Sequence, residues 1–296
     1  MAAPAGTTTE EYWDINGVSL SEQGWNVKTI GGSRYGVPPM RGTNIQYAYV
    51  PGTEFRRKIP DTRTITLEMW VNAFDPLTGL GNTDQIVRWN DSWQFLRHLF
   101  WDPDNQFVLT RRWKVTDPVT HIASVVAASA LGQLGSTLDL TMTGRTRADF
   151  SVDVVLNDPF FYGAAVASTV PAGGSLTTIV NAGDYTAAHR NMSVQFVGPL
   201  TTPTLTNTSP NPQVKVTLNT TVGAGETVTL DCHAFTAISN QALFTTAGVG
   251  SYNRIAYVVH SGARQWMGLR RGSNTLRLDA ASGSGHAVVT FQPPYV

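Results

Sequence analysis

Alternation of apolar and polar residues is the dominant pattern along this chain, and it predicts strands. Residues 62–74 carry it most strictly. Ile65, Leu67, Met69 and Val71 share one phase; Thr64, Thr66, Glu68 and Trp70 share the other. Successive strand side chains point to opposite faces, so one face of this segment packs on a core. Residues 24–30 alternate in the same way and stop at Gly31-Gly32. Ahead of them, residues 12–20 read as a hairpin around Asn16-Gly17, a dipeptide that favours a type I′ turn. Residues 106–115, 137–142 and 148–156 also read as strands. The last sets Phe150, Val152, Val154 and Leu156 on one face and ends at Asn157-Asp158-Pro159.

Between these strands the period changes once. Trp89, Trp93, Leu96 and Phe100 fall on a single helical stripe, with Asp91 as the expected N-cap and Asp102-Pro103 as the stop. Residues 33–60 are rich in Gly and Pro and read as turns with short irregular strands. Residues 117–135 suit either period. Their Ala-rich run is compatible with a helix, but Ala123, Val125, Ala127 and Ser129 alternate, and the segment is read as a strand.

Residues 163–175 are small and rich in breakers, and they mark the expected domain boundary. The organisation that follows is an N-terminal β-domain over 1–163, a linker over 164–175 and a C-terminal β-domain over 176–296. In the latter, strand signals recur at 176–181, 191–197, 213–220, 226–232, 253–259, 274–279 and 286–292, with turns between them. Seven short strands at such spacing predict a β-sandwich. The fold class is therefore mainly β, with one short helix.

Composition narrows the function classes. A 42% apolar content is enough to drive collapse and excludes a disordered chain. Charged residues are only 14%, against about 25% in typical soluble domains. A polar but uncharged β-rich chain suits surfaces that become buried in an assembly. Net charge is zero, so nothing favours electrostatic capture of nucleic acid or anionic lipid. Charge is nonetheless uneven: residues through Gly163 are net acidic and the remainder net basic. One cysteine, Cys232, rules out an internal disulfide and fits folding in a reducing cytoplasm. No signal peptide and no membrane span are expected.

No residue set favours catalysis. Cys232-His233 invites a nucleophile–base reading, but strand neighbours point to opposite faces, so Cys232 reads as a small buried hydrophobe. The six histidines lack metal-site spacing. Asp102 and Asp104 flank a turn proline and read as turn residues. No nucleotide-binding or hydrolase motif is present, and no cofactor is expected. Eight tryptophans remain. Trp266, beside Arg264 and Arg270, is a candidate ligand contact that would stack on a sugar ring, weighed against core or interface packing. Arg56-Arg57-Lys58 and Arg111-Arg112 are candidates for salt bridges between subunits rather than for specific nucleic-acid contacts.

An ordered series of short motifs carries a resemblance. It runs from Trp13-Asp-Ile-Asn-Gly-Val-Ser-Leu20 and Gly24-Trp-Asn-Val27 through Pro39-Met-Arg-Gly-Thr-Asn44 and Thr64-Ile-Thr-Leu-Glu-Met-Trp-Val71 to Asn157-Asp-Pro-Phe-Phe-Tyr-Gly163. It continues with Asn181-Ala-Gly-Asp184, Pro203-Thr-Leu-Thr-Asn207, Gly225-Glu-Thr-Val-Thr-Leu-Asp231, Arg271-Gly-Ser-Asn-Thr-Leu-Arg277 and Val288-Val-Thr-Phe-Gln292. This order resembles the distal tail (Dit) and minor tail proteins of siphophages, particularly those of actinobacteria. The resemblance implies a structural virion protein, not an enzyme. It implies an N-terminal barrel-like β-domain that builds a homohexameric ring, and a galectin-like C-terminal sandwich. The implied partners are further copies of the chain, the tail tube protein and the baseplate hub or tip proteins, and the implied location is the distal tail of the virion; the alternative is a carbohydrate-binding tail module whose C-terminal sandwich grips host-surface carbohydrate.

Overall fold

A computed structural model of the chain describes residues 11–21, 25–32, 38–42, 59–73, 84–101, 106–116, 123–187, 192–210, 212–244, 250–261 and 266–296. Two compact units emerge, Met1–Tyr162 with Val296, and Gly163–Tyr295. The fold is mainly β, as the alternation predicts.

In the first unit, β1 (Glu11–Ile15), β2 (Val18–Ser19) and β3 (Trp25–Gly32) precede a short ladder of β4 (Met40–Arg41) on β5 (Ile59–Pro60). Then come β6 (Arg63–Asn72), the helix α1 (Gln85–Phe100), β7 (Phe107–Thr116), β8 (Ala123–Leu134), β9 (Asp139–Met142), β10 (Arg147–Leu156) and β11 (Phe161–Tyr162). One curled half-barrel sheet has the order β2-β1-β7-β8-β10-β6-β3, with β9 on β10 and β11 on β8. The β1–β2 turn places Asn16 and Gly17 at φ of 49° and 80°, the left-handed pair that a type I′ hairpin requires.

The inner face of the sheet follows the sequence phase. Ile65, Leu67, Met69 and Val71 of β6 are fully buried, and Phe150, Val152, Val154 and Leu156 of β10 lie beside them. Burial of such side chains stabilises by about 1.5–3 kcal/mol each. Helix α1 packs its aromatic stripe on the same core. Leu96 and Phe100 are buried, Trp93 meets Phe150 edge-on at 5.5 Å, and Phe100 meets Phe107 at 6.2 Å.

One expectation for this unit needs correction. The helix begins after Asp84, so Asp91 is an exposed residue inside it and not its cap. The expected stop, Asp102-Pro103, lies outside the described residues. Residues 123–134 form a strand, as the alternation predicts. Ala128 and Ala130 face the core, whereas Val125 and Leu131 are 63% and 52% exposed. Small inward residues fit beneath the crowded aromatic core, so side-chain size and not hydrophobicity set the phase.

The second unit contains β12 (Val166–Pro171), β13 (Leu176–Asn181), β14 (Met192–Val197), β15 (Leu200–Thr201), β16 (Thr204–Asn207), β17 (Val214–Leu218), β18 (Thr221–Val222) and β19 (Thr227–Asp231). It continues with β20 (Thr236–Phe244), β21 (Gly250–Asn253), β22 (Val258–His260), β23 (Gly272–Asp279) and β24 (His286–Phe291). A six-stranded sheet, β12-β24-β14-β19-β20-β21, faces a five-stranded one, β13-β23-β16-β17-β22. Their inner residues share a single core, with Val194, Phe196, Val228 and Val289 from the first sheet and Leu205, Val216, Leu276 and Leu278 from the second. This is a β-sandwich.

The segment expected as a linker is part of that sandwich. Its residues form β12, which pairs along its whole length with β24, from Val166 opposite Phe291 to Pro171 opposite His286. Its small residues suit an edge strand as well as they suit a linker. The strand expected over 253–259 is instead a 3-10 turn, Ile255–Tyr257, that leads into β22.

Candidate interface residues

The Arg111-Arg112 pair divides between the two faces of β7. Arg111 points inward and is buried. Its Nε donates to Glu11 Oε1 at 2.6 Å, and its guanidinium lies 4.7 Å from the Trp113 ring centre and 5.9 Å from that of Trp13. Arg112 points outward and pairs with Asp14 at 2.6 Å. Asp14 is itself buried. Burial pushes its carboxyl above the ordinary range, and the Arg112 charge partly opposes that.

A third arginine belongs with them. Arg63 occupies the inward phase of β6 together with Ile65 and Leu67, and it is fully buried. One guanidinium nitrogen donates to the Pro159 carbonyl at 3.4 Å. Burial, and secondarily the nearby Arg111 charge, lower its pKa to about 10. The sequence signal for Arg63 was its place in the alternation, two residues ahead of Ile65.

In the second unit, Trp266 does not offer a platform for a sugar ring. It is 5% exposed and packs edge-on against Phe235 with ring centres 5.6 Å apart. Arg270 is exposed and donates to the Ser209 carbonyl. Arg56, Arg57 and Arg264 lie outside the described residues. Thus Trp266 belongs to the core of this unit, and of the candidates described only Arg112 and Arg270 reach the surface.

Cys232 is buried, and its thiol is pushed up to about 12 by burial and by the Asp231 carboxylate, with a hydrogen bond to the Met267 backbone opposing both. A thiol held protonated is a poor nucleophile. Cys232 and His233 lie in the turn after β19 rather than in a strand, with Cys232 buried and His233 exposed, so burial and not strand alternation separates their surroundings. Among the described residues, no group of three or more His, Cys, Asp or Glu side chains is placed to hold a metal ion. No described helix is long and apolar enough to cross a membrane.

The strongest polar site in this unit escaped the sequence reading. Glu226 and Arg254 are buried and paired at 3.1 Å. Glu226 also accepts from Ser239 Oγ at 2.6 Å and from the Gly223 amide at 2.8 Å, while Arg254 donates to the Gln241 carbonyl at 2.7 Å. Every contact is internal to the sandwich, which makes this a structural cluster.

No family model matches the chain, and no curated protein matches it. A solved structure does: the SPP1 Dit protein, described as a paradigm of the hub adsorption apparatus in phages that infect Gram-positive bacteria. The two share 15% identity at a TM-score of 0.59, over 97% of this chain and 99% of that one. The chain has the Dit fold. Weaker likenesses are to the baseplate of phage P2 in its activated conformation with Ca, at 8% identity and a TM-score of 0.39 over 97% and 100% of the two chains. The same baseplate with Sr gives 8% and 0.32 over 95% and 97%. Both are too distant to add to the Dit assignment. At 15% identity, the likeness to Dit is one of fold, and no residue role transfers with it.

Proposed function

We propose that this chain is a non-enzymatic structural protein of a long non-contractile phage tail. In this reading it forms a ring, six-fold by the resemblance, at the distal end of the tail and joins the tail tube to baseplate hub or tip proteins. The supporting observation is the mutual coverage with SPP1 Dit, in which both units are matched from one end of each chain to the other. A fold hosts many functions, but a half-barrel followed by a sandwich in one chain is a more demanding match than either alone. The low charge and the exposed apolar residues of the first unit agree with surfaces that become buried between subunits. The described polar clusters serve packing, which agrees with a structural rather than a catalytic role.

Immunogold labelling of intact virions with antibody raised against the chain tests this. Label confined to the tail end farthest from the capsid is the expected result. Label along the whole tail would make it a tube or decoration protein, and absence from virions by mass spectrometry would overturn the structural assignment.

A further inference from the structure

We propose that the outward face of β7 and β8 in one copy of this chain docks on the outward face of β6, β9 and β10 in the next copy. The inference rests on the ring reading and identifies the surfaces that build the ring.

The β7–β8 ladder sets Val108 opposite Leu131, Thr110 opposite Ser129, Arg112 opposite Ala127 and Lys114 opposite Val125. All eight lie on the side away from the core. Val108, Leu131 and Val125 are 38%, 52% and 63% exposed. Single exposed apolar residues are ordinary, but here two are direct cross-strand partners and a third lies farther along the same ladder. The charge on this face is basic. Arg112 is matched by Asp14, and Lys114 makes no ion pair among the described residues.

The second face has the complementary character. Register places Glu68, Ser151 and Asp139 in one row across β6, β10 and β9. Glu68 and Asp139 are exposed and make no ion pair among the described residues. The adjacent row holds Trp70, Asp149 and Thr141, with Asp149 paired to Lys28 at 2.5 Å and Arg147 lying 5.4 Å from the Trp70 ring centre. The face is therefore acidic, with an aromatic surface beside the carboxylates.

Lys114 is thus the cation that the β7–β8 face offers to the Glu68–Asp139 row. Two strand intervals set those carboxylates about 10 Å apart. A long lysine side chain landing between them reaches either one. The two faces belong to different parts of one curled sheet, so one contact leaves an unused face of each kind. Such a contact is heterologous. It propagates from copy to copy and ends only when a ring closes. A second copy of this chain, which carries both complementary surfaces, is the occupant that this geometry fits.

The test is a charge swap in the full chain, followed by mass photometry and sedimentation. Circular dichroism and melting confirm that each variant folds. Lys114→Glu and Glu68→Lys are each expected to raise the dissociation constant of the assembly about tenfold, and the double variant to recover most of that loss. Val125→Asp is expected to weaken assembly without a charge partner to restore it. If the wild type forms rings and all these variants form them equally well, these faces are not the interface, while the ring itself stands. If both charge variants weaken assembly but the double variant does not recover, the two faces do not meet. A wild-type chain that remains monomeric at every concentration overturns the ring and this contact together.

Discussion

Glu226 sits in the second unit with both carboxylate oxygens occupied, one by Ser239 and Arg254 and the other by the Gly223 amide. Burial is the largest influence on its titration and pushes the carboxyl upward. The Ser239, Gly223 and Arg254 interactions together outweigh it and hold the group below its ordinary value of 4.5. A lowered folded-state value stabilises the fold above the unfolded value, and that contribution is lost as pH falls through the folded one. Denaturant unfolding is therefore expected to show stability declining below about pH 4.5, with a shallower decline in Glu226→Gln. Arg254→Ala leaves a buried carboxylate without its cation and is expected to cost about 3–5 kcal/mol. An Arg254→Ala chain as stable as wild type would show that the pair is dispensable. Legibility at this scale was partial. Period two separates Arg111 from Arg112 and sends Arg63 inward, but nothing local in Gly225-Glu-Thr-Val announces that Glu226 is buried. Its arginine lies 28 positions away.

Elements were legible where alternation was strict and apolar. β6 and β10 met that condition, and their full ten-residue pairing follows from it. β20, nine residues long, did not. Its inward positions include Ser239, which serves Glu226, so the apolar period is broken where the buried polar cluster needs a hydroxyl. β16 is hidden in the same way, because Thr206 and Asn207 are buried polar residues within it. The link between β14 and β15 carries its own constraint. A Cβ at Gly198 would fall 1.9 Å from the Gly223 carbonyl oxygen and 2.7 Å from that of Val222. Both obstacles are backbone, so neither can rotate away. Gly198→Ala is expected to destabilise the second unit by about 2 kcal/mol or more, read from a denaturation midpoint. An unchanged midpoint would mean that the backbone shifts there at little cost.

The two-unit organisation of the molecule was legible in outline, but the boundary fell too late. The Gly-rich stretch that signalled a linker is a turn between β12 and β13, and the second unit begins at Gly163. Its core draws Val170 from β12 as well as Phe291 from β24. A chain that starts at Gly163 should therefore fold cooperatively, whereas one that starts at Ser175 lacks an edge strand and part of its core. Melting followed by circular dichroism is expected to show a sharp transition for the first and a broad or absent one for the second. Equal transitions would restore the linker reading. The acidic face proposed for docking was not legible at all, because register across three strands brings Glu68 and Asp139 into one row although 71 positions separate them in the chain.

The distribution of indoles has an optical consequence. Seven of the eight tryptophans precede residue 114, and Trp266 stands alone in the second unit, shielded from water and edge-on to Phe235. Trp266 is thus a built-in fluorophore for the sandwich. The difference in emission between the native chain and a Trp266→Phe chain isolates one indole in an apolar, fixed setting, and its red shift on unfolding reports the second unit against the background of the other seven.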